Sequence, residues 1–409
     1  MKVAIVHYWL VGMRGGERVL EALCDLYPDA HVYTHVYLPE AVSRSISSHM
    51  VTTTFIGHMP FAATMYKKYL PLMPMALEQL DLSGYDLVIS SESGPAKGVI
   101  AHPDAVHLCY CHSPMRYIWN LYHQYRSDAG MTTRFMMPAF AHYLRSWDQL
   151  SADRVDAFVA NSHNVARRIW RYYGRRAAVV YPPVDIDSFR ANSGTPRGDF
   201  YLLVGELVAY KRADLAVRAF NHLRKRLVVI GGGEMLASCR QLAGPTVEIL
   251  GTQPIDVLRS SYAQAKALVF PGEEDFGIVP VEAMAAGCPV IAFRKGGACE
   301  TVLEGKTGVF FEEQTVESLV SAVRNFETVR FDPEFIANHA ATFGTARFKR
   351  EMCEVIDAVM EAKGQRPTPV APYRAENSTR IPSTHPVDLS SITHGSQAAH
   401  AEYDRSLQS

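Results

Sequence analysis

Short apolar runs alternate with segments of helical periodicity along the first half of the chain. Leucines and valines three and four residues apart predict a helix over Glu17–Leu26. A second helix is expected from about Asn164 to Tyr173, because Ser162 is a suitable N-cap and Gly174 a suitable stop. The predicted strands are Val3–His7, Leu87–Ser90, Val106–Tyr110 and Ala157–Ala160. This alternation favours a parallel sheet that helices cover on both faces.

The pattern breaks at Tyr181–Val184 and then restarts. Pro182 and Pro183 cannot lie inside a helix and suit a stiff connector, and a loop rich in Gly, Ser and Pro follows at residues 192–198. The elements predicted after it are the strands Phe200–Gly205, Leu227–Ile230, Val247–Leu250, Leu268–Phe270 and Val290–Phe293 and the helices Arg212–Leu223, Ile255–Ala263 and Pro280–Ala286. We therefore predict two α/β domains over residues 1–182 and 183–345, with a hinge near residue 183.

The C-terminal end of the chain has a helical pattern followed by a segment of different composition. Phe348, Met352, Ile356 and Val359 lie at helical spacing and predict a last helix, to which we assign residues 346–364. Residues 365–409 are rich in Pro, Ser, Thr, His and Ala and have few aliphatic side chains. Such a segment buries too little apolar surface to offset its ordering, so we predict a disordered tail.

Composition narrows the classes of function. Lys and Arg (41) nearly balance Asp and Glu (42), so no general attraction to nucleic acid is expected. The seven cysteines are scattered without zinc-type spacing, which suits a reducing cytosol. No run reaches the ~18 apolar residues of a membrane span, and the N-terminus lacks the pattern of a signal peptide. We expect a cytoplasmic protein whose membrane contact is at most peripheral, at the inner face of the cytoplasmic membrane.

Chemistry is expected beyond the carboxyl ends of the strands, where helix N-termini point. The segment after Phe270 carries Glu274 and Glu282 with seven residues between them, and Gly277 lies just before the helix that contains Pro280. Free backbone N–H groups at residues 277–279 suit a phosphate, and a glycine allows close approach. The two carboxylates suit hydroxyls of a sugar or a ribose. The alternative is that the acidic residues only cap the helix.

This segment resembles the Glu-x-seven-Glu motif of glycosyltransferase family 4, a family of retaining enzymes. The resemblance extends over about residues 1–360 and implies the GT-B fold, in which two Rossmann-like parallel-sheet domains face each other across a cleft. It implies that Glu274 binds hydroxyls of the transferred sugar and that Glu282 binds the ribose. The residues that would line the sugar–diphosphate site are Phe276, Gly277, Ile278 and Val279. The run Tyr210–Val217 is similar to a bacterial polysaccharide subgroup that includes mannosyltransferases using GDP-mannose.

A second candidate site follows the strand Phe200–Gly205. In the family, an Arg and a Lys clamp the donor diphosphate here; Lys211 matches the Lys, whereas Glu206 stands at the Arg position. An acid beside a diphosphate repels it by on the order of 1 kcal/mol or more. Either Arg212 replaces the missing Arg, or Glu206 points elsewhere. An ordinary solvated helix lysine is the alternative for Lys211.

Three glycine clusters also follow strands. By the resemblance, Gly231 and Gly233 let the nucleotide approach the sheet, and Gly251 belongs to the loop that holds the base. Gly15 and Gly16 would form a loop above the donor phosphates, although they do not complete a dinucleotide-binding fingerprint. A plain turn is an equal interpretation for Gly231 and Gly233, and a strand-to-helix turn remains open for Gly15 and Gly16.

His112 follows a predicted strand on the cleft side. The resemblance implies contact with a donor-sugar hydroxyl, and a purely structural histidine is the alternative. We assign the catalytic role to His112, Glu274 and Lys211. No Asp-x-Asp metal motif follows a strand, and the GT-B class needs no divalent ion, so we expect a GDP- or UDP-linked sugar as co-substrate and no metal or other cofactor.

Two further segments stand out by charge or hydrophobicity. Phe55–Leu82, with Lys67 and Lys68, is either a buried loop or an acceptor loop that contacts membrane lipid or a polyprenyl-linked acceptor. An arginine run looks like a phosphate site, but its helix starts at the cleft, so the later arginines should point away and interact with the helix dipole. These arginines are Arg167, Arg168, Arg171, Arg175 and Arg176.

These features predict a hexosyltransferase. It would move a hexose, with mannose as the first candidate, from a nucleotide-diphosphate sugar to a saccharide or lipid-linked saccharide with retention, in cell-surface polysaccharide synthesis. Glu206 favours an alternative, a non-catalytic nucleotide-sugar-binding subunit of a polysaccharide assembly complex. A nicotinamide-dependent oxidoreductase also fits two Rossmann-like halves, but the chain lacks its glycine fingerprint.

Overall fold

The computed structural model of the protein describes residues 1–191 and 196–364. The predicted tail at residues 365–409 and residues 192–195 of the predicted loop lie outside the described residues.

The first sheet of the described chain lies in the N-terminal half. Its seven strands are β1 Val3–His7, β2 His31–Thr34, β3 Val51–Thr53, β4 Leu87–Glu92, β5 Val106–Cys111, β6 Ala157–Ala160 and β7 Ala177–Val179. They are all parallel and lie in the order β3-β2-β1-β4-β5-β6-β7. The chain therefore winds in opposite directions from β1 and β4, and ligands bind at the carboxyl ends of the strands at such a switch point.

The second described sheet repeats this plan with six parallel strands. They are β8 Tyr201–Val204, β9 Leu227–Ile230, β10 Val247–Gly251, β11 Ala267–Phe270, β12 Val290–Phe293 and β13 Gly308–Phe311. The order is β10-β9-β8-β11-β12-β13, so the switch point lies between β8 and β11. The loops after Val204 and Phe270 consequently meet at one edge of the sheet.

Helices cover both sheets. Those of the N-terminal half are α1 Gly15–Leu26, α2 Arg44–Ser47, α3 Ala62–Met65, α4 Met73–Glu78, α5 Tyr122–Asp128, α6 Met131–Ala152, α7 His163–Tyr173 and α8 Ile186–Phe189. The later ones are α9 Ala213–Leu223, α10 Leu236–Leu242, α11 Ile255–Gln264, α12 Ile278–Ala285, α13 Ala298–Thr301, α14 Val316–Phe326, α15 Pro333–Ala341 and α16 Thr345–Gly364.

Burial follows the parallel arrangement. Every residue of β1, β4 and β5 is buried, as expected for strands that have helices on both faces. The last helix, α16, returns to the first sheet, where Phe348, Met352 and Ile356 pack into the same apolar cluster as Ile5. The chain therefore crosses between the two halves twice, once near Pro183 and once before α16.

The predicted caps of α7 are confirmed. The Ser162 hydroxyl accepts a hydrogen bond from the Val165 N–H, and Gly174 adopts a left-handed conformation with φ of 65°. The strands β1, β6, β9 and β12 have the predicted bounds, and most other predicted elements are shifted by one or two residues at an end. These segments have a clear periodicity or punctuating residues, so local sequence was sufficient.

The sequence did not predict β2, β3, β7, β13 or the long helix α6. Of the missed strands, β3 and β7 have only three residues, too few for a periodic pattern. Helix α6 contains Pro138, and its exposed side includes Met131 and Phe135, so its apolar residues do not lie on one face. Among the described residues, no helix is long and apolar enough to cross a membrane.

Candidate active site

A cavity of about 490 Å³ lies where the loops of the two sheets face each other. The predicted site residues that line it are Gly15, Gly16, His112, Lys211, Glu274, Phe276, Gly277, Ile278, Val279 and Glu282. Four predicted residues do not line it, namely Arg212, Gly231, Gly233 and Gly251. The fold therefore brings residues from both halves of the chain into one site, although they lie up to 267 positions apart in the sequence.

Lys211 and Glu274 form an ion pair in this cavity. Nζ of Lys211 lies 3.0 Å from Oε1 of Glu274, and both side chains are about one-fifth exposed. Burial alone would lower the pKa of Lys211, but the charge of Glu274, with help from Tyr210, raises it. Lys211 therefore stays cationic beside a carboxylate that can accept sugar hydroxyls, and it is not a solvated helix lysine.

The backbone around Glu274 is held by two glycines that the sequence analysis did not identify. The Gly297 N–H donates to the Glu274 carbonyl at 2.9 Å. A Cβ atom at Gly296 would lie 2.2 Å from the same carbonyl oxygen, which leaves no room for a side chain. This close contact fixes the position of Glu274 in the loop after β11.

Helix α12 starts at the cavity. Its N-cap, Gly277, has φ of 88°, a left-handed conformation that favours glycine. The first backbone N–H groups of a helix have no partner within the helix, so those near Ile278 can bind a phosphate. Gly15 lies against this helix end, since a Cβ atom there would be 2.7 Å from Cδ1 of Ile278. The start of α1 thus lies near the predicted phosphate position, and phosphate binding by Gly15 and Gly16 stays a prediction.

Glu282 lies one turn further along α12. The Tyr262 hydroxyl donates a hydrogen bond of 3.1 Å to its carboxylate. Burial raises the pKa of Glu282 to about 7, although the Tyr262 hydrogen bond and the charge of Arg18 oppose the shift. A carboxyl group with this pKa changes charge near neutral pH, so its ability to accept a hydroxyl hydrogen bond depends on pH.

His112 follows β5 and faces the cavity from the opposite side. Its Nε2 atom lies 2.8 Å from the Ser91 hydroxyl, and its ring meets those of Tyr8 and Tyr110 edge-on. Burial, with a smaller effect of His7, lowers the pKa of His112 to about 3. The ring is therefore neutral over the physiological range and can exchange hydrogen bonds without carrying charge.

Asp275 connects the two halves of the protein. Its carboxylate pairs with Arg168 and lies 3.6 Å from Nη1 of Arg116, and its carbonyl accepts a 2.7 Å hydrogen bond from the Ser162 hydroxyl. The Arg116 guanidinium also donates to the Glu273 carbonyl at 3.4 Å. These groups are mostly buried, so the loop that carries Glu274 is held from the N-terminal side. We call this set the Asp275 clasp.

We predicted that the later arginines of the run in α7 point away from the cleft and interact with the helix dipole, and this is wrong for Arg168. Its guanidinium pairs with Asp275 and lies 3.5 Å from Glu273, across the cleft. Helical side chains extend back towards the helix N-terminus, and α7 begins at the cleft, so a residue in its second turn reaches the interface. Arg175 follows the helix and donates to the carbonyls of Ala152 and Val155 instead.

The structure places Arg212 outside the cavity, and its binding to the diphosphate stays a prediction. Arg212 adopts a left-handed backbone conformation, and its guanidinium pairs with Asp214 at 3.1 Å, outside the cavity lining. Glu206 instead faces the opposite domain, where its carboxylate lies 3.7 Å from Nη1 of Arg14. The charge reversal at residue 206 is therefore matched by a cation from the N-terminal half.

Gly231 and Gly233 are close to protein backbone. Cβ atoms there would lie 1.8 Å from the Gly205 carbonyl oxygen and 2.6 Å from that of Leu207, and both residues have positive φ. Their lack of a side chain allows the loops after β8 and β9 to pack together. The Gly231 N–H donates to the Gly251 carbonyl at 2.9 Å, which extends this contact to β10. Binding of the nucleotide by these glycines stays a prediction.

Several residues lining the cavity were not predicted. They include Tyr8, Arg14, Arg116, Asn161, Asp185, Tyr210 and Arg259. Tyr8 and Asn161 directly follow the strands β1 and β6, so strand-end position was the available signal for these two residues. Within residues 1–191 and 196–364, no group of three or more His, Cys, Asp or Glu side chains could hold a metal ion. That the reaction needs no metal stays a prediction.

Two family models match the chain in adjoining segments. The model described as Glycosyltransferase Family 4 matches residues 13–188, and the model described as Glycosyl transferases group 1 matches residues 185–341. Together they span residues 13–341 and include both walls of the cavity.

Curated relatives match part of the chain. A D-inositol 3-phosphate glycosyltransferase of Nocardiopsis dassonvillei is 30% identical over 270 residues, which cover 56% of this chain and 61% of the relative. A GDP-mannose-dependent alpha-(1-6)-phosphatidylinositol monomannoside mannosyltransferase of Mycolicibacterium smegmatis is 30% identical over 203 residues, which cover 40% of this chain and 53% of the relative. The chain thus spans about half to three-fifths of the length of these relatives.

Solved structures share the fold. Anabaena HepE in complex with UDP has a TM-score of 0.62 at 15% identity, over 88% of this chain and 100% of that chain. Sucrose-phosphate synthase of Thermosynechococcus elongatus has a TM-score of 0.66 at 17% identity, over 88% and 100% of the two chains. The two facing parallel sheets therefore form a GT-B fold, and the two family models identify a glycosyltransferase family 4 domain followed by a glycosyl transferases group 1 domain in this chain.

Proposed function

We propose that this protein transfers a hexose from a nucleotide-diphosphate sugar to an acceptor hydroxyl, with retention of the anomeric configuration. The observation that carries the proposal is the Lys211–Glu274 pair beside the start of helix α12, opposite His112 in one cavity. A cation and free helix N–H groups suit a diphosphate, a carboxylate suits sugar hydroxyls, and two facing domains can exclude water on closure.

In the proposed reaction the bond between the anomeric carbon and the β-phosphate oxygen breaks. Lys211 and the amides near Ile278 stabilise the negative charge that develops on the leaving diphosphate. The acceptor oxygen attacks from the same face and forms the new glycosidic bond, and its proton passes to the leaving phosphate. A product with inverted anomeric configuration, detected by NMR, would exclude this mechanism.

Arg14 is the proposed second cation for the diphosphate, in place of Arg212. Arg14 and Glu206 are 63% and 47% exposed, and such an exposed pair contributes about 0–1 kcal/mol. A diphosphate carries more negative charge than one carboxylate, so the guanidinium can turn to it at little cost. Arg14 also lines the cavity next to Gly15. Glu206 would then hold Arg14 near its site before the donor binds.

The donor sugar, the base and the acceptor are proposals of the same kind. Mannose from GDP-mannose is the first donor to test, because the Mycolicibacterium smegmatis relative is named for it. A UDP-sugar is the second, since Anabaena HepE was solved with UDP. The acceptor would be a saccharide or a lipid-linked saccharide of cell-surface polysaccharide synthesis, and no metal or other cofactor would be required.

The test is thermal unfolding with UDP, GDP and ADP, each alone and as sugar conjugates, beside Glu282→Ala. A ligand at 100 times its Kd stabilises the folded state by about 2.7 kcal/mol. We expect stabilisation by one base only and its loss in the variant, followed by product formation with the matching donor sugar. Binding without any transfer would support the non-catalytic subunit instead, and no binding at all would reject both functions.

We also propose peripheral contact with a membrane through the N-terminal half. Residues of the segment Phe55–Leu82, among them Ile56 and Tyr66, form most of a small core, while Lys67 and Lys68 are exposed and Phe61 is 75% exposed. Helix α6 adds further exposed apolar side chains, which are Met131, Phe135, Met136, Phe140 and Tyr143. Cations beside apolar side chains suit an anionic membrane surface.

Vesicle flotation tests this contact. Vesicles containing anionic lipid should bind the wild-type protein, and the double variant Lys67→Glu, Lys68→Glu should bind markedly less. Charge reversal at Lys225 and Lys266, on the surface of the C-terminal half, serves as the control. Equal vesicle binding by both double variants would show that Lys67 and Lys68 do not contact the membrane.

A further inference from the structure

A chain of buried polar side chains leads from helix α1 to His112. The Ser91 hydroxyl lies 2.8 Å from Nε2 of His112 and 3.0 Å from Nδ1 of His7. On the other side of the His7 ring, Nε2 lies 3.8 Å from Oε1 of Glu17. The order of groups is therefore Glu17, His7, Ser91 and His112, with one hydroxyl between two imidazole rings.

The parallel sheet produces this chain. His7 on β1 is directly paired with Ser91 on β4, and His112 follows the last residue of β5. Glu17, His7 and Ser91 are 2%, 1% and 0% exposed, and none of them lines the cavity. Since they do not line the cavity, they can affect the reaction only through neighbours that do, and the Ser91 hydroxyl contacts one of these, His112.

Hydrogen bonds along the chain have a preferred direction. An ionised carboxylate only accepts, and Glu17 already accepts from the Arg14 N–H at 3.0 Å. The His7 Nε2 atom has no hydrogen-bond partner, and the Glu17 carboxylate at 3.8 Å is too distant for a hydrogen bond, so electrostatic attraction to this carboxylate is what favours a proton on Nε2. Nδ1 of His7 is then an acceptor, the Ser91 hydroxyl donates to it, and the Ser91 oxygen accepts from an Nε2–H group of His112.

We propose that Glu17, His7 and Ser91 are positioning residues that fix the ring tautomer of His112, with the proton on Nε2 and a lone pair on Nδ1. Among the described residues, Nδ1 of His112 has no hydrogen-bond partner, and the ring lines the cavity. His112 thereby presents an acceptor to a substrate hydroxyl. Its burial keeps the ring neutral, which preserves this lone pair. The tautomer follows from the fold, whereas its use in sugar transfer rests on the function proposed above.

Nitrogen-15 NMR of the histidine rings tests the tautomer directly. We expect the unliganded wild-type protein to show His112 as the Nε2–H form. Ser91→Ala removes the bridging hydroxyl, and Glu17→Gln lets an amide either donate or accept, so both should give a mixture of tautomers. The matched control is Ser90→Ala, because Ser90 is equally buried but its hydroxyl contacts His107 at 2.9 Å.

Kinetics separate positioning from a purely structural role. At metal sites, loss of a group that orients a ligand side chain typically lowers metal affinity or activity by about 10- to 100-fold, and we take the lower end of that range for His112. Ser91→Ala should therefore lower kcat by about tenfold while the Kd of the nucleotide product stays within about twofold, and Ser90→Ala should change neither.

In the NMR experiment, assignment of the His112 resonances by comparison with His112→Asn makes the tautomer readout specific to this ring.

Either of two results would overturn the proposal. One is a wild-type protein with His112 in the Nδ1–H form, and the other is an unchanged tautomer in both Ser91→Ala and Glu17→Gln. If the tautomer shifts as expected but the wild-type protein transfers no sugar from any donor, the hydrogen-bond chain stands and only the proposed function fails.

Discussion

The two walls of the cleft differ in charge. The N-terminal wall presents Arg14, Arg116 and Arg168 with the neutral His112, whereas the C-terminal wall presents more carboxylates than cations, and its cations include Lys211 and Arg259. The acidic residues of that wall include Asp185, Glu206, Glu273, Glu274, Asp275 and Glu282. Charge complementarity across the cleft therefore holds the walls together.

The contacts across the cleft also differ in burial. Arg14–Glu206 is exposed and weak, while the side chains of Arg168 and Asp275 are only 11% and 17% exposed. Breaking a buried pair by removing one partner leaves an uncompensated charge and costs more. The comparison indicates that the Asp275 clasp contributes more than the Arg14–Glu206 pair to holding the two walls together.

The largest expected effect comes from Glu274→Gln. The change removes the partner of Lys211 and weakens the contact to a sugar hydroxyl, so the transfer rate should fall about 100-fold or more. Initial rates with the matching donor measure it. Glu273→Gln, at a neighbouring carboxylate that is 40% exposed, is the control. Equal losses of transfer rate in the two variants would mean that Glu274 has no specific role in the reaction.

The second-largest expected effect is a loss of stability in the variant Asp275→Asn. Arg168 and Arg116 would lose their shared carboxylate while mostly buried, so the free energy of unfolding should fall by about 2 kcal/mol. Urea denaturation measures it. Asp256→Asn is matched, since Asp256 also pairs with an arginine, Arg259, but is 86% exposed and should cost about 0–1 kcal/mol. A similar small loss in both would show that the clasp adds nothing to stability.

A smaller effect concerns pH. Folding raises the pKa of Glu282 to about 7, so the native state binds this proton more tightly than the unfolded chain does. The protein therefore loses stability as pH rises from the ordinary carboxyl range through about 7. Glu282→Gln does not titrate, and its stability relative to wild type should improve by on the order of 1 kcal/mol between pH 5 and pH 8.

Thermal unfolding at the two pH values follows this change. The exposed Glu248→Gln is the control, and its stability relative to wild type should stay constant between them. A constant difference for Glu282→Gln as well would mean that burial does not shift the pKa of this carboxyl.

The smallest expected effect is a difference in stability between two helix-cap variants, only one of which also loses a contact across the cleft. Ser162→Ala removes the N-cap of α7 and the hydrogen bond to the Asp275 carbonyl, while Thr315→Ala removes only the N-cap of α14. Loss of a cap costs about 1 kcal/mol, and a hydrogen bond adds about 0.5–1.5 kcal/mol. Urea denaturation should therefore show a larger loss for Ser162→Ala. Equal losses would show that the contact with Asp275 contributes nothing.

The two walls also differed in how well the sequence predicted them. On the C-terminal wall, Glu274, Gly277 and Glu282 follow one strand within a short segment, so their spacing was enough to predict a site. On the N-terminal wall, His112 was found by its place after a strand, but Arg116 and Arg168 were not assigned to the site. Their partners lie more than 100 positions away, and no local pattern records such a contact.

Sequence by itself determined the elements whose period and punctuation are local, such as β1, the caps of α7 and the Gly277 helix start. It also determined which residues follow strands, and hence the site in outline. Tertiary structure alone decided that Arg212 turns to Asp214, that Arg14 faces Glu206, and that Ser91 joins His7 to His112. The physical reason is that charge pairing and hydrogen-bond direction depend on distances between segments, which sheet order and domain packing set.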